Sequence, residues 1–146
     1  MIASGGNQAG KNRTYRPRLY LNDGSGGFTK SEQELPSSFK NMATVSPEDF
    51  DGDGDMDLFV GGRLSPGAYP LTPRSYLLEN DGKGYFRDVT AEKNPELLYP
   101  GMVTDALWTD FNGDERSDLI LVGEWMAPRL FANRGAQLEE LQGQDW

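Results

Sequence analysis

Apolar residues fall in short runs along this chain, separated by clusters of Gly, Asn, Asp and Pro, with no long stretch of helical spacing. The clearest runs are Leu58-Phe59-Val60 and Leu119-Ile120-Leu121-Val122. Continuous branched runs of this length suit strands buried on both faces. Met42-Ala43-Thr44-Val45 and Met102-Val103-Thr104 precede them and predict a second pair of strands. Asn22-Asp23-Gly24-Ser25-Gly26-Gly27-Phe28, Asn80-Asp81-Gly82-Lys83-Gly84-Tyr85-Phe86 and the degenerate Asn133-Arg134-Gly135 each predict a tight hairpin turn, because Asn and Gly tolerate the positive φ such turns need.

These elements recur. Pro17-Arg18-Leu19-Tyr20, Pro73-Arg74-Ser75-Tyr76 and Pro128-Arg129-Leu130-Phe131 are spaced by 56 and 55 residues. Gly5-Gly6 and Gly61-Gly62 repeat the 56-residue offset. One full unit is predicted to run through a strand at 42–48, an acidic loop at 49–57, a strand at 57–62, a Pro-rich connection, a strand at 74–79, a hairpin turn and a strand at 85–90. Four antiparallel strands in about 60 residues make one β-propeller blade. The expected fold is all-β, a partial propeller of about two and a half antiparallel four-stranded blades. Residues 1–30 form an incomplete blade, 42–90 a blade with a first acidic loop, and 102–141 a blade with a second.

Composition narrows the chemistry. With no Cys and no His, the chain has no disulfide, thiol nucleophile, Cys/His zinc site or histidine base. The formal charge of −9, from 14 Lys+Arg against 23 Asp+Glu, argues against nucleic acid and anionic lipid as partners. No apolar run approaches a membrane span, and Met1-Ile2-Ala3-Ser4-Gly5-Gly6 contains no signal-peptide core.

The acid is concentrated in two loops. The first reads Asp49-x-Asp51-x-Asp53-Gly54-Asp55-x-Asp57, and the second Asp110-x-Asn112-x-Asp114-Glu115-Arg116-x-Asp118, starting 61 residues later. Carboxylates at alternate positions repel one another unless a cation sits among them. Positions 1, 3, 5 and 9 offer side-chain oxygens and position 7 its carbonyl, which suits Ca²⁺, with its need for about 6 to 8 oxygens, better than Mg²⁺. The EF-hand pattern fails, since its position 12 is Val60 or Leu121. The second loop is expected to bind more weakly. Asn112 adds no charge, and Glu115 replaces the Gly54 that takes a left-handed conformation cheaply, at a cost of about 1 kcal/mol if the turn is kept. Two bound Ca²⁺ would bring the net charge from −9 to −5.

Asp-Phe-Asp-Gly-Asp-Gly-Asp-Met-Asp-Leu and Asp-Phe-Asn-Gly-Asp-Glu-Arg-Ser-Asp-Leu resemble the calcium loops of FG-GAP or VCBS repeats, the blades of integrin-α-like β-propellers. Gly101-Met102-Val103-Thr104-Asp105-Ala106-Leu107-Trp108 and Gly123-Glu124-Trp125-Met126 resemble more narrowly bacterial secreted or surface proteins with ASPIC/UnbV-type repeats. The resemblance implies calcium held by Asp49, Asp51, Asp53, Asp55 and Asp57, and by Asp110, Asn112, Asp114, the Arg116 carbonyl and Asp118. It also implies an extracellular or cell-surface location. Family propellers usually close with more blades than this chain holds, so a part of a larger propeller, or self-association through bare blade faces and edges, is expected.

Two functional classes follow. The first is a non-catalytic calcium-binding module for adhesion, ligand binding or scaffolding, with an unidentified protein or carbohydrate ligand. The alternative is the propeller portion of a secreted carbohydrate- or phosphoester-processing enzyme. Because the metal loops account for every dense acidic cluster, no catalytic residue stands out and no enzyme activity is expected. Trp108 and Trp125 are expected to pack between blades, and Tyr69 to be exposed. Residues 63–73 and 91–101 are the candidate recognition loops. Asp105 is expected to hydrogen-bond neighbouring backbone. Asn12-Arg13-Thr14 matches a glycosylation triplet of low specificity.

Overall fold

The computed structural model describes residues 18–33, 35, 42–65 and 67–143. Gly5-Gly6 and the Asn12-Arg13-Thr14 triplet lie outside these, as does the start of the expected incomplete blade. The fold is all-β. A hairpin of β1 (Tyr20–Asn22) and β2 (Phe28–Lys30) precedes two four-stranded antiparallel sheets. The first sheet contains β3 (Met42–Glu48), β4 (Asp57–Gly62), β5 (Tyr76–Asn80) and β6 (Phe86–Asp88), in that order. The second contains β7 (Met102–Thr109), β8 (Asp118–Glu124), β9 (Arg129–Asn133) and β10 (Leu138–Glu140), again neighbour to neighbour.

The two sheets are copies down to their irregularities. Register breaks between Met42 and Thr44 in β3 and between Val103 and Asp105 in β7, the same place in the 61-residue repeat. Each acidic loop joins the edge strand to the next strand. Pro47 sits in β3, where an edge tolerates a missing N–H.

Alternation along the strands divides the core in two. Leu58, Val60, Tyr76 and Leu78 face one way in the first sheet, where Leu19 and Leu35 from the N-terminal segment cover them. Gln33 reinforces this cover: its amide accepts from Phe86 N–H (3.1 Å) and donates to Phe86 C=O (2.9 Å) at the free edge of β6. Phe59 and Leu77 face the other way and meet Val103, Trp108, Leu119, Leu121, Phe131 and Leu138 of the second sheet. On the far side of the second sheet, Leu107, Ile120 and Leu130 line up across three strands. In this row Leu107 is 58% exposed.

Between the sheets, residues 91–101 are not the open loop the sequence suggests. They contain most of a one-turn helix, α1 (Thr90–Lys93), followed by a 3-10 turn at Pro95–Leu98. Thr90 Oγ1 accepts from Leu77 N–H (2.8 Å), Asn94 caps the 3-10 turn through Glu96 N–H (2.8 Å), and Leu97 is fully buried in the inter-sheet core. Asn94 Nδ2 also donates to the Leu138 carbonyl of β10. The connection is a wedge that closes one side of the core.

Trp108 lies where the sequence placed it, between the sheets. Trp125 does not. It sits in the turn after β8 with φ of +57° and 84% of its surface exposed, and its indole N–H donates to the exposed Tyr69 hydroxyl (2.6 Å). The tight turn takes position 125 out of the strand alternation, so its side chain leaves the core while Met126 packs against it.

Candidate metal centre

Both acidic loops are organised by their own backbone. In the first, the Asp49 carboxylate accepts from the N–H groups of Gly52 (2.9 Å), Asp53 (3.1 Å) and Gly54 (3.0 Å). Asp51 accepts from Asp53 N–H (3.2 Å), and Asp53 from Asp55 N–H (2.9 Å). Such Asx turns are what short acidic side chains favour in tight loops. In the second loop, Asp110 accepts from Gly113 (2.7 Å), Asp114 (3.2 Å) and Glu115 (2.9 Å), Asn112 from Asp114 (2.9 Å), and Asp114 from Arg116 (3.1 Å). The bond pattern is the same, position for position.

Gly54 has φ of +96° and Glu115 has φ of +67°, so Glu115 keeps the left-handed turn in spite of its Cβ.

The last carboxylate of each loop is a brace. Asp57 is 1% exposed and accepts from Phe50 N–H (3.3 Å) at the loop start and from Asn80 N–H (2.8 Å) in the hairpin turn. Asp118 is buried likewise, accepting from Phe111 (3.2 Å) and Asn133 (2.8 Å). Asn80 and Asn133 are therefore part of the site. Sequence reading assigns them only to hairpin turns, although both stand at the first position of a recurring turn motif, which is the available signal.

The first loop brings Asp49, Asp51 and Asp57 together, each offering a carboxylate oxygen within 4.8 Å of the others. It is the one such acidic triad among the described residues. Asp53 and Asp55 stand outside that convergence, with Asp55 lying against Gly82 of the hairpin turn. Burial raises the Asp57 pKa to about 6 against the pull of the Asn80 N–H, and the Asp51 charge adds to the rise. Burial raises Asp51 also, partly countered by the Asp53 N–H. Carboxylates held together with this cost of ionisation are a donor set that a divalent cation would relieve, and their all-oxygen chemistry fits a hard ion.

In the second loop burial works against ionisation of Asp110, but the N–H groups of Glu115, Gly113 and Asp114 outweigh it and hold its pKa low. Arg116 Nη2 pairs with Asp114 (2.9 Å), Arg116 Nε donates to the Asn133 carbonyl (3.0 Å), and Asn112 Nδ2 donates to Asp118 (3.3 Å).

The two loops are tied together through the inter-sheet seam. Asn133 Nδ2 donates to the Phe50 carbonyl of the first loop (2.6 Å), and Ser117 Oγ donates to Glu48 (2.9 Å). Equivalent positions of the repeat also meet directly. Thr44 Oγ1 donates to Asp105 (3.3 Å), which also accepts from Ala106 N–H (2.9 Å), and Arg63 pairs with Glu124 (2.6 Å). Each of the Thr44/Asp105 and Arg63/Glu124 pairs is separated by 61 residues, the repeat period.

No helix among the described residues is long and apolar enough to cross a membrane. No curated protein and no solved structure matches the chain. Residues 2–60 match the FG-GAP-like repeat, a stretch that includes the first acidic loop and ends within β4. That match, together with two antiparallel four-stranded sheets built on the same plan, supports an FG-GAP-like repeat in this chain.

Proposed function

We propose that this chain is a calcium-binding, non-catalytic module of an extracellular or cell-surface protein, serving adhesion, ligand binding or scaffolding. The observation that carries the reading is the convergence of Asp49, Asp51 and Asp57 in the first loop. Asp53 and the backbone at Asp55 complete the proposed oxygen set. Calcium here acts as a staple. It offsets carboxylate repulsion and fixes the loop that leads into β4. An ion that binds only the folded form stabilises it by RT ln(1 + [L]/Kd), which is about 1.4 kcal/mol at millimolar calcium and a Kd near 10⁻⁴ M. Packing of another blade, or of a second copy, on the Leu107, Ile120 and Leu130 row belongs to the same reading.

Calorimetric titration of chelator-treated protein with CaCl₂ and MgCl₂ tests it. Calcium binding that is tighter than magnesium binding and lost in Asp49→Ala is expected. Absence of both a calcium heat and a calcium-dependent rise in melting temperature overturns it.

A further inference from the structure

The two acidic loops share one backbone but not one charge. The ligand positions of the first are five carboxylates, whereas the second has Asn112 at position 3 and Arg116 at position 7. At position 7 the side chain lies against the hairpin turn in both loops. A Cβ placed on Gly82 meets Asp55 Oδ2 at 2.3 Å, and Arg116 Nε reaches the Asn133 carbonyl at 3.0 Å. The position is conserved in geometry between the two units and inverted in sign. From there Arg116 Nη2 pairs with Asp114 Oδ2 at 2.9 Å, and Arg134 Nη1 from the β9–β10 turn stands 3.9 Å from the same oxygen.

We propose that the second loop carries its own cation. The Arg116 guanidinium, assisted by Arg134, supplies the positive charge that the first loop takes from calcium, so that the chain binds one calcium ion and the second loop keeps its shape without one. The inference rests on the reading of the first loop as a calcium site.

Three observations converge on it. Asp114, at position 5 of the ligand set, is held by a guanidinium that has a second anchor on Asn133. Asp118, at position 9, already accepts from Asn112 Nδ2 (3.3 Å), a donor that the Asp51 carboxylate cannot provide. The loop nevertheless keeps the full Asx-turn pattern of the first, including the left-handed residue at position 6. A guanidinium is permanently charged, weakly hydrated and shaped to hold a carboxylate, so it neutralises Asp114 without recruiting an ion from solution. A divalent ion in this loop would have to displace Arg116 from Asp114 while gaining no charge from position 3.

Hydrogen exchange of the whole chain in EDTA and in CaCl₂, paired with calorimetric titration by CaCl₂, tests the proposal. The expected result is one ion per chain, lost in Asp49→Ala and retained in Asp110→Ala, with calcium slowing exchange in residues 51–55 and leaving residues 113–116 unchanged. Arg116→Gln is expected to speed exchange of 113–116 in EDTA, while Arg116→Lys, which keeps the charge, changes it less. The Arg116 side chain is 47% exposed, so both variants are expected to fold, which circular dichroism checks. Two ions in the wild-type chain, or calcium-dependent protection of 113–116, overturns the proposal. If neither loop binds calcium, the functional reading falls, and the Arg116→Gln exchange still decides this one: unchanged exchange of 113–116 overturns it.

Discussion

The Trp108 indole in β7 stacks on the Phe50 ring in the first acidic loop, with ring centroids 6.3 Å apart and planes 19° from parallel. Its N–H donates to the Ser46 carbonyl in β3 (3.3 Å). Phe50 is the second residue of the loop, and it also gives its N–H to Asp57 and its carbonyl to Asn133. The second sheet is therefore the floor on which the first loop is built.

Replacing Trp108 by Ala removes this floor. A buried Trp→Ala change costs about 3 to 5 kcal/mol, from lost transfer energy and the cavity left behind. The same change is expected to weaken calcium binding at the first loop, because Phe50 then loses the contact that fixes the loop start. Denaturant unfolding and calcium titration of Trp108→Ala check both effects. Unaltered calcium affinity in a folded variant would show that the floor is mechanical only.

Asp57 gives the site a pH dependence with a definite sign. Its folded pKa of about 6 lies above the ordinary carboxylate value, so the ion-free folded state keeps a proton that the unfolded chain gives up from about pH 4. The contribution of Asp57 to stability is present at low pH and lost as pH rises from about 4 to 6, by up to about 3 kcal/mol. In EDTA, the stability of the wild type relative to Asp57→Asn should fall across this range. Calcium favours the ionised form, so its affinity should rise over the same window with release of a proton. Melting curves of both proteins from pH 4 to 7, with and without CaCl₂, provide the measurement, and a relative stability that rises with pH in EDTA would refute the assignment.

Glu115 occupies a conformation that suits glycine, with φ of +67° and an exposed side chain. Its N–H bond to Asp110 is kept by any residue but proline. Glu115→Gly is expected to stabilise the protein by about 0.5 to 1 kcal/mol, relief of the left-handed strain exceeding the entropy lost by the more flexible unfolded chain. Gly54→Glu should cost a similar amount in the first loop. Thermal unfolding of the two variants in EDTA compares the turns without the contribution of calcium.

Much of this architecture is legible in the residues. Strands β3 and β4 fall on the expected 42–48 and 57–62, since a buried strand bounded by an acidic turn has few other ways to pair its backbone. The hairpin turns follow from Asn and Gly, and the left-handed residue at position 6 follows from comparing Gly54 with Glu115. The helical wedge at 90–98 is not legible, because one turn of helix is too short to show a period and is held by Leu97, Thr90 and Asn94 from outside. Nor are the roles of half-buried Asn80 and buried Asn133, which arise only when a hairpin folds back over a loop 23 or 15 residues away.

The sequence by itself determined the repeat, the strands, and the spacing that sets carboxylates at alternate positions of two loops, because these depend on local backbone geometry and a period of two. Tertiary structure decided which neighbour each strand face meets. Phe59 and Leu77 turn to the second sheet, Leu58 and Val60 to the N-terminal segment, and Ile120 and Leu130 to the outer side of the second sheet. It also separated two tryptophans that look alike in sequence, burying Trp108 against Phe50 and leaving Trp125 on the surface with Tyr69. Alternation tells which residues share a face, but only the packing of one copy against the next tells which faces leave water.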